Sequence, residues 1–490
     1  MSYTRKVAYN TIIQIIGKVI TTLISLFLVA ALTRYLGVSG YGQYTTIFAF
    51  TQFFAVFADF GFFWFLVREI SKPALPAGRP DADQGKIFNN VLTFRTLMAL
   101  GIFAVSFLIG FVIPQYHDIR YGIGIIAAAS FWMTLNGSYV GVFQSKLRMD
   151  KAALTEVLGR MVILGLVLFL ISSGANLNQI LWAYFGGNLV NFLFSVLLGR
   201  VYLHLRPAFD FSYWKKIFWG SLPIFIVSIL GLIYFKVDTI MLSLLKTSED
   251  VGIYGPPYKV VEILILFPAI FMGNVFPVVT NYIYSKDERL QSAFQKAFDF
   301  LVIAAVPIIV GIALTAPRII KIVAGSQFTS AHTIGPVFGV AATSSFALQI
   351  LILAVGISFL SHLYGYTIIA LGKQTKMILP NLLFVIFNVG LNLLIIPKFS
   401  YIGAAATTVI TEIAVVLTSW YVMHLYVDLE IRYKTLFKAL LAGIILGLAL
   451  YILKFLSLWI LIPVGAFVYF VILWLLKGIS REMVLTVIKR

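Results

Sequence analysis

About fourteen apolar runs, each long enough to cross a bilayer and joined by short basic loops, leave this chain one fold class: an all-α polytopic bundle. Inside lipid every backbone N–H and C=O must be satisfied within the segment, and short loops of this kind connect helices. The composition agrees, since 60% of the 490 residues are hydrophobic and 11% charged, outside the range of soluble globular chains. No stretch remains for a soluble catalytic domain. The longest hydrophilic segment, residues 68–86 with Pro73, Pro76 and Pro80, is about 19 residues, below domain size. The chain has no cysteine, which excludes disulfides and thiolate chemistry. Arg5 and Lys6 precede a long apolar run from Thr11 without the short apolar core of a cleaved signal, so the segment reads as an uncleaved first span.

The predicted spans begin with residues 10–32 and 42–67 and end with 439–456 and 458–476. Lys and Arg concentrate in alternate loops on the side of the N-terminus, and the positive-inside rule then puts both termini in the cytoplasm. The net charge of +18 is mostly this topology signal, with an anionic phospholipid surface as the partner. The cations are scattered one loop at a time, so nucleic acid is not expected as a partner.

The chain also repeats itself. Val38-Ser39-Gly40-Tyr41-Gly42-Gln43-Tyr44 resembles Glu249-Asp250-Val251-Gly252-Ile253-Tyr254, and Ser145-Lys146-Leu147-Arg148-Met149 resembles Gly372-Lys373-Gln374-Thr375-Lys376-Met377. Both matches relate spans six apart in the same orientation, which implies two six-helix halves. The predicted organisation is a bundle over 1–201, a cytoplasmic linker over 202–217, a second bundle over 218–426, and two further helices with a cytoplasmic tail over 427–490. Residues 317–346 are extra sequence, read as an amphipathic or re-entrant segment.

Polar residues inside the spans fall on stripes. Asn10, Gln14, Lys18, Thr22 and Ser25 share one face of the first span, Thr45, Gln52 and Asp59 one face of the second, and Tyr254, Tyr258 and Glu262 one face of the eighth. Asn381, Asn388 and Asn392 repeat the pattern without charge. Uncharged members fit interhelical hydrogen bonding, at about 0.6 kcal/mol per contact. A charge at mid-bilayer costs roughly 3 kcal/mol, so Lys18, Asp59, Arg95, Lys236, Asp238, Lys259, Glu262 and Glu412 point to a water-accessible or substrate-lined cavity. Glu156 and Arg160, four apart, read as a local ion pair, and Lys259 and Glu262, three apart, can neutralise each other likewise.

Pro223, Pro256, Pro257, Pro268, Pro277 and Pro307 each remove an intrahelical donor and predict kinks in the second half. Gly122-Ile123-Gly124 imitates a dinucleotide fingerprint but sits inside an apolar span, and no phosphate-binding GxxxxGK[ST] loop occurs. The five histidines lack metal-ligand spacing, so no cofactor is expected and energy must come from a gradient or a partner. Gly443 and Gly447 form a GxxxG step suited to close helix packing.

Leu32-Thr33-Arg34-Tyr35-Leu36-Gly37, Tyr41-Gly42-Gln43-Tyr44, Ala58-Asp59-Phe60-Gly61 and Arg68-Glu69 resemble the opening signature of bacterial oligosaccharide and polysaccharide flippases of the O-antigen type. Leu222-Pro223, the run Lys236 to Leu242, Val251-Gly252-Ile253-Tyr254 and Phe276-Pro277 resemble their second-half signature. That family belongs with MATE drug exporters and lipid II flippases, and the resemblance implies two six-helix bundles in a V around a central cavity. Lipid II flippases add two C-terminal helices, as this chain does, and carry functional basic residues that Lys18 and Lys259 resemble in placement. Lysine stands here where arginine is usual, without the bidentate fork.

The resemblance implies a flippase, not an enzyme, that moves undecaprenyl-pyrophosphate-linked oligosaccharide to the periplasmic leaflet of the bacterial inner membrane by alternating access, with no cofactor. Lys18, Arg95, Lys236 and Lys259 would attract the pyrophosphate. Gln14, Gln52, Asp59, Asp238, Tyr258, Glu262 and Glu412 would line the cavity or bind a coupling ion, H+ or Na+. The lipid-linked oligosaccharide is the expected partner, with polysaccharide polymerase machinery beside it. The alternatives are a lipid II flippase or MATE-like cation exporter and, in another class, a membrane glycosyltransferase or ligase, which would want a large catalytic loop.

Overall fold

The computed structural model describes the backbone of residues 3–71, 80–203, 206–337 and 339–478, and their side chains except residues 3–9, 11 and 80–83. Pro73, Pro76, the side chains of Arg5 and Lys6, and residues 479–490 of the expected tail lie outside the described residues. All described secondary structure is helical except one isolated bridge between Val337 and Val340. The helices in chain order are α1 Tyr3–Asp59, α2 Phe62–Ile70, α3 Pro80–Val112, α4 Arg120–Ser145, α5 Met149–Ser172, α6 Leu177–Gly199 and α7 Phe211–Leu245. They continue as α8 Ser248–Tyr284, α9 Arg289–Ala324, α10 Gln327–Ser330, α11 Ser344–Ala370, α12 Ile378–His424, α13 Lys434–Ile452 and α14 Leu458–Leu475.

Twelve helical segments among the described residues are long and apolar enough to cross a membrane. Two of them hold a non-helical residue, Gly37 (φ 70°) in α1 and Ser400 (φ 48°) in α12. At about 1.5 Å per residue the 57-residue α1 would run far beyond a hydrocarbon core of roughly 30 Å. A chain reversal at Gly37 resolves this, and glycine meets its positive φ without a Cβ clash. The reversal at Ser400 is visible directly. Asn388 Nδ2 donates to Thr411 Oγ1 at 3.0 Å, although the two are 23 residues apart on what would otherwise be one rod. Divided at these two points, the crossings number about fourteen, as the hydropathy pattern implies.

By internal packing the chain forms two units, Met1–Gly252 and Ile253–Arg490. In the first, α6 packs against α4 and α5, α1 against α3 and α5, and α7 against α1, α2 and α3. Its core includes Phe62, Phe65, Phe88, Tyr139, Phe143, Trp214 and Ile217. In the second, α9 packs against α11, α13 and α14, and α11 against α12. The Gly443/Gly447 step of α13 receives Val306, Val310 and Leu314 of α9, so its use is packing within the chain. Gly122 likewise makes room for Ile47 and Leu181, which accounts for the misplaced dinucleotide pattern.

The prolines of α7, α8 and α9 lie within helices that continue through them. The backbone breaks instead at Gly37, at Phe60–Gly61 and at Ser400, where φ is positive. Residues 317–346 contain the end of α9, the four-residue α10 and the Val337–Val340 bridge before Thr343 caps α11, so they form neither a long amphipathic helix nor a re-entrant one.

Candidate functional site

The break between α1 and α2 organises the charged residues of the first unit. Phe60 (φ 46°) and Gly61 (φ 76°) turn the chain, and Phe60 stacks on Phe218 and Phe225 of α7. A Cβ on Gly61 would lie 2.9 Å from Ile224 Cβ and 3.0 Å from the Ser221 carbonyl oxygen, so glycine serves both the turn and the approach of α7. Asp59, immediately before the turn, accepts an ion-paired hydrogen bond from Arg95 of α3. Arg95 also donates to Ser138 Oγ of α4 at 3.1 Å. Gly137 leaves room for the guanidinium, since a Cβ there would come within 2.8 Å of it. The Arg95 side chain is 3% exposed and that of Asp59 34%.

Arg95 therefore does not offer a free surface to phosphate. Its guanidinium is taken up in holding the end of α1 to α3 and α4. Gln14, Lys18 and Gln52 are exposed, Lys236 is half-buried, and Asp238 is buried with an oxygen accepting the Thr239 N–H at 2.7 Å. Asn10, on the same stripe as Lys18, is buried instead: it donates to the Leu147 carbonyl and accepts from Met149 N–H, tying α1 to the start of α5. Glu156 and Arg160 make no ion pair. Tyr184 is buried, and its hydroxyl hydrogen-bonds that of Tyr44 at 2.8 Å.

In the second unit Lys259 and Glu262 pair at 2.9 Å, as their spacing predicts, with both side chains about one-third exposed. Tyr258 is buried and lies against Tyr254, ring centroids 5.5 Å apart. Glu412, also buried, accepts from Ser361 Oγ at 3.0 Å. A ladder missing from the sequence-based site runs between the arms of α12. Asn392 Nδ2 donates to Asn388 Oδ1, Asn388 donates to Thr411, and Thr411 donates to the Thr407 carbonyl. Asn392 Oδ1 and Thr407 Oγ1 are buried with no hydrogen-bond partner. The asparagine stripe was the available signal, but the Thr rungs come from the other side of a reversal that no short motif marks.

Residues 7–283 match the family described as polysaccharide biosynthesis protein, more than half of the chain. The chain belongs to that family. Within the matched region of this polysaccharide biosynthesis protein fall Gln14, Lys18, Gln52, Asp59, Arg95, Lys236, Asp238, Tyr258, Lys259 and Glu262, whereas Glu412 lies beyond it. A relative described as a probable low-salt glycan biosynthesis flippase, Agl15 of Haloferax volcanii, is 23% identical over 319 residues, covering 63% of each chain. The chain thus spans less than two thirds of that relative's length. In fold it is similar to the lipid II flippase MurJ in an inward closed conformation, with a TM-score of 0.74 at 16% identity over 93% of this chain and 97% of that one. It is also similar to an inward-facing multidrug resistance MATE family transporter, with a TM-score of 0.65 at 14% identity over 82% and 95% of the two chains. The family member is accordingly a multi-pass, all-α membrane protein with the MurJ and MATE type of fold.

Proposed function

We propose that this polysaccharide biosynthesis protein is a flippase for a lipid-linked oligosaccharide, and that the carrier is undecaprenyl pyrophosphate. The observation that carries the reading is the placement of open charge on spanning helices: Lys18 exposed on α1, and the Lys259–Glu262 pair one-third exposed on α8. Charge that stays accessible at such cost is suited to a pyrophosphate headgroup passing through the hydrocarbon. The reading places the protein in the bacterial inner membrane with both termini cytoplasmic, delivering an O-antigen type glycan to polymerase machinery. Residues 1–201 and 218–426 would then be its two transport halves, alternately opening the charged helices to either face.

In this reading Lys18, Lys236 and Lys259 attract the pyrophosphate, while Glu262 restrains Lys259 until substrate competes for it. In this reading Gln14, Gln52, Asp238 and Tyr258 are further polar groups of the cavity. A coupling ion, H+ or Na+, is part of the proposal. The buried oxygens of Asn392, Thr407 and Glu412 are of the hard type that a monovalent cation takes, and two of them have no partner.

The test is a strain lacking other flippases. Lys18→Ala with Lys259→Ala is expected to lower glycan export at least tenfold, with complete lipid-linked oligosaccharide accumulating on the cytoplasmic side. Undiminished export at normal protein levels would exclude phosphate attraction by these lysines. Accumulation of truncated glycan would favour the glycosyltransferase alternative.

A further inference from the structure

A cavity of about 640 Å³ lies in the first unit between the end of α2 and the first turns of α7, and none of its lining residues belongs to the proposed transport path. Its volume is in the range of small-ligand sites, about 300–1,000 Å³. Arg68 and Glu69 line it from α2, and Lys215, Lys216 and Trp219 from α7. Three cations face one carboxylate. Glu69 is buried and paired with Arg68 at 3.2 Å, which leaves the two lysines in excess.

The surroundings hold this excess in place. Gly220 lets Phe65 of α2 press against α7, since a Cβ there would lie 2.7 Å from the ring, and the Arg68 guanidinium sits 5.4 Å from the same ring. Lys216 stands 5.4 Å from the centre of the Tyr213 ring. The nearby carboxylate that would compensate the lysines is taken elsewhere. Asp210 caps α7 through the Tyr213 N–H and pairs with Lys86 at 3.1 Å, and these two contacts keep its carboxyl below the usual range.

The cavity opens where α7 begins its spanning run, and its neighbours Phe211 and Trp219 are exposed. Aromatic rings and lysines together at the start of a spanning helix mark the level of lipid headgroups. We infer that this cavity is a binding site for the phosphodiester headgroup of an anionic phospholipid, held by Lys215, Lys216 and Arg68 and bordered by Trp219. A lipid seated there would join α2 to α7 and steady the Phe60–Gly61 turn that separates α2 from Asp59. The inference stands independently of which substrate the protein transports.

The experiment uses the purified full-length protein, delipidated and then titrated with phosphatidylglycerol or phosphatidylcholine, with retention read by native mass spectrometry and thermal unfolding in parallel. The wild type is expected to retain phosphatidylglycerol in preference to phosphatidylcholine and to gain thermal stability from it. Lys215→Gln with Lys216→Gln is expected to weaken that retention about twenty-five-fold, from roughly fivefold for each lysine removed at a lipid surface. Lys215→Arg with Lys216→Arg should keep it. The lipid-free unfolding temperature of each variant separates lost binding from lost folding, and Lys215→Gln alone, on an exposed position, supplies an intermediate case. Equal retention of the two lipids, or equal retention by wild type and the glutamine variant, would overturn the assignment. So would displacement of phosphatidylglycerol by inorganic phosphate, which would indicate a soluble anion, or by an equal amount of polyprenyl pyrophosphate, which would indicate a substrate site.

Discussion

Asp59→Asn is expected to destabilise the protein by about 3–5 kcal/mol, because it strands the Arg95 guanidinium in an interior where, among the described residues, no other carboxylate pairs with it. The asymmetry of the pair makes this testable. Arg95 is almost wholly buried and Asp59 is one-third exposed, so the two single substitutions have unequal consequences. Arg95→Met removes the buried charge and leaves a carboxylate that is one-third exposed. Its cost is the lost bond to buried Ser138 and some lost packing, on the order of 1–3 kcal/mol. Asp59→Asn combined with Arg95→Met should be more stable than Asp59→Asn alone, with a coupling of about 2 kcal/mol or more. Thermal unfolding of the four purified proteins measures the cycle. An Asp59→Asn variant at least as stable as Arg95→Met would show that the pair does not carry the α1–α3 junction.

The same pair shows what the sequence discloses and what it conceals. The spans were legible because bilayer thickness sets helix length, and the charges inside them stood out because they are costly there. Lys259 and Glu262 found each other as their spacing implies, since one helix fixes the geometry of both. Asp59 and Arg95 belong to different helices, and nothing local joins them across 36 residues. Spacing also misled: Glu156 and Arg160 have a helical pair's separation, but no ion pair joins them among the described residues. The prolines marked kinks that the helices absorbed, whereas the breaks fell at Gly37, Gly61 and Ser400. Gly37 and Gly61 were visible inside the family-like motifs, but a serine at positive φ carries no such signal, because that conformation costs a side chain energy and persists only when its surroundings impose it. The cavity between α2 and α7 was hidden for a different reason, its cations coming from two helices far apart in the chain.

Gly42→Ala and Gly252→Ala are each expected to cost about 3 kcal/mol or more, while the same change at Gly101 is neutral or stabilising. A Cβ on Gly42 would fall on the Ser248 carbonyl, 2.6 Å from its carbon and 2.9 Å from Gly252 N, and one on Gly252 would fall on the Val38 carbonyl, 2.9 Å from its carbon. The obstacles are backbone atoms, which cannot turn aside as a side chain can. Overpacking a core costs about 1–3 kcal/mol when side chains yield, and here the helices themselves must separate. The first turn of α8 cannot relax away, because Thr247 and Asp250 cap it reciprocally. Gly101 has nothing within 4 Å, so alanine there gains up to about 1 kcal/mol of helix propensity. Each glycine meets the residue four positions before the other, which means the duplicated motif crosses its own copy. The two substitutions should therefore have similar effects, and the double variant should cost less than their sum, since one separation relieves both clashes. Thermal unfolding of the three single variants and the double decides the matter: a Gly42→Ala protein as stable as Gly101→Ala would mean that this crossing is not held at backbone contact.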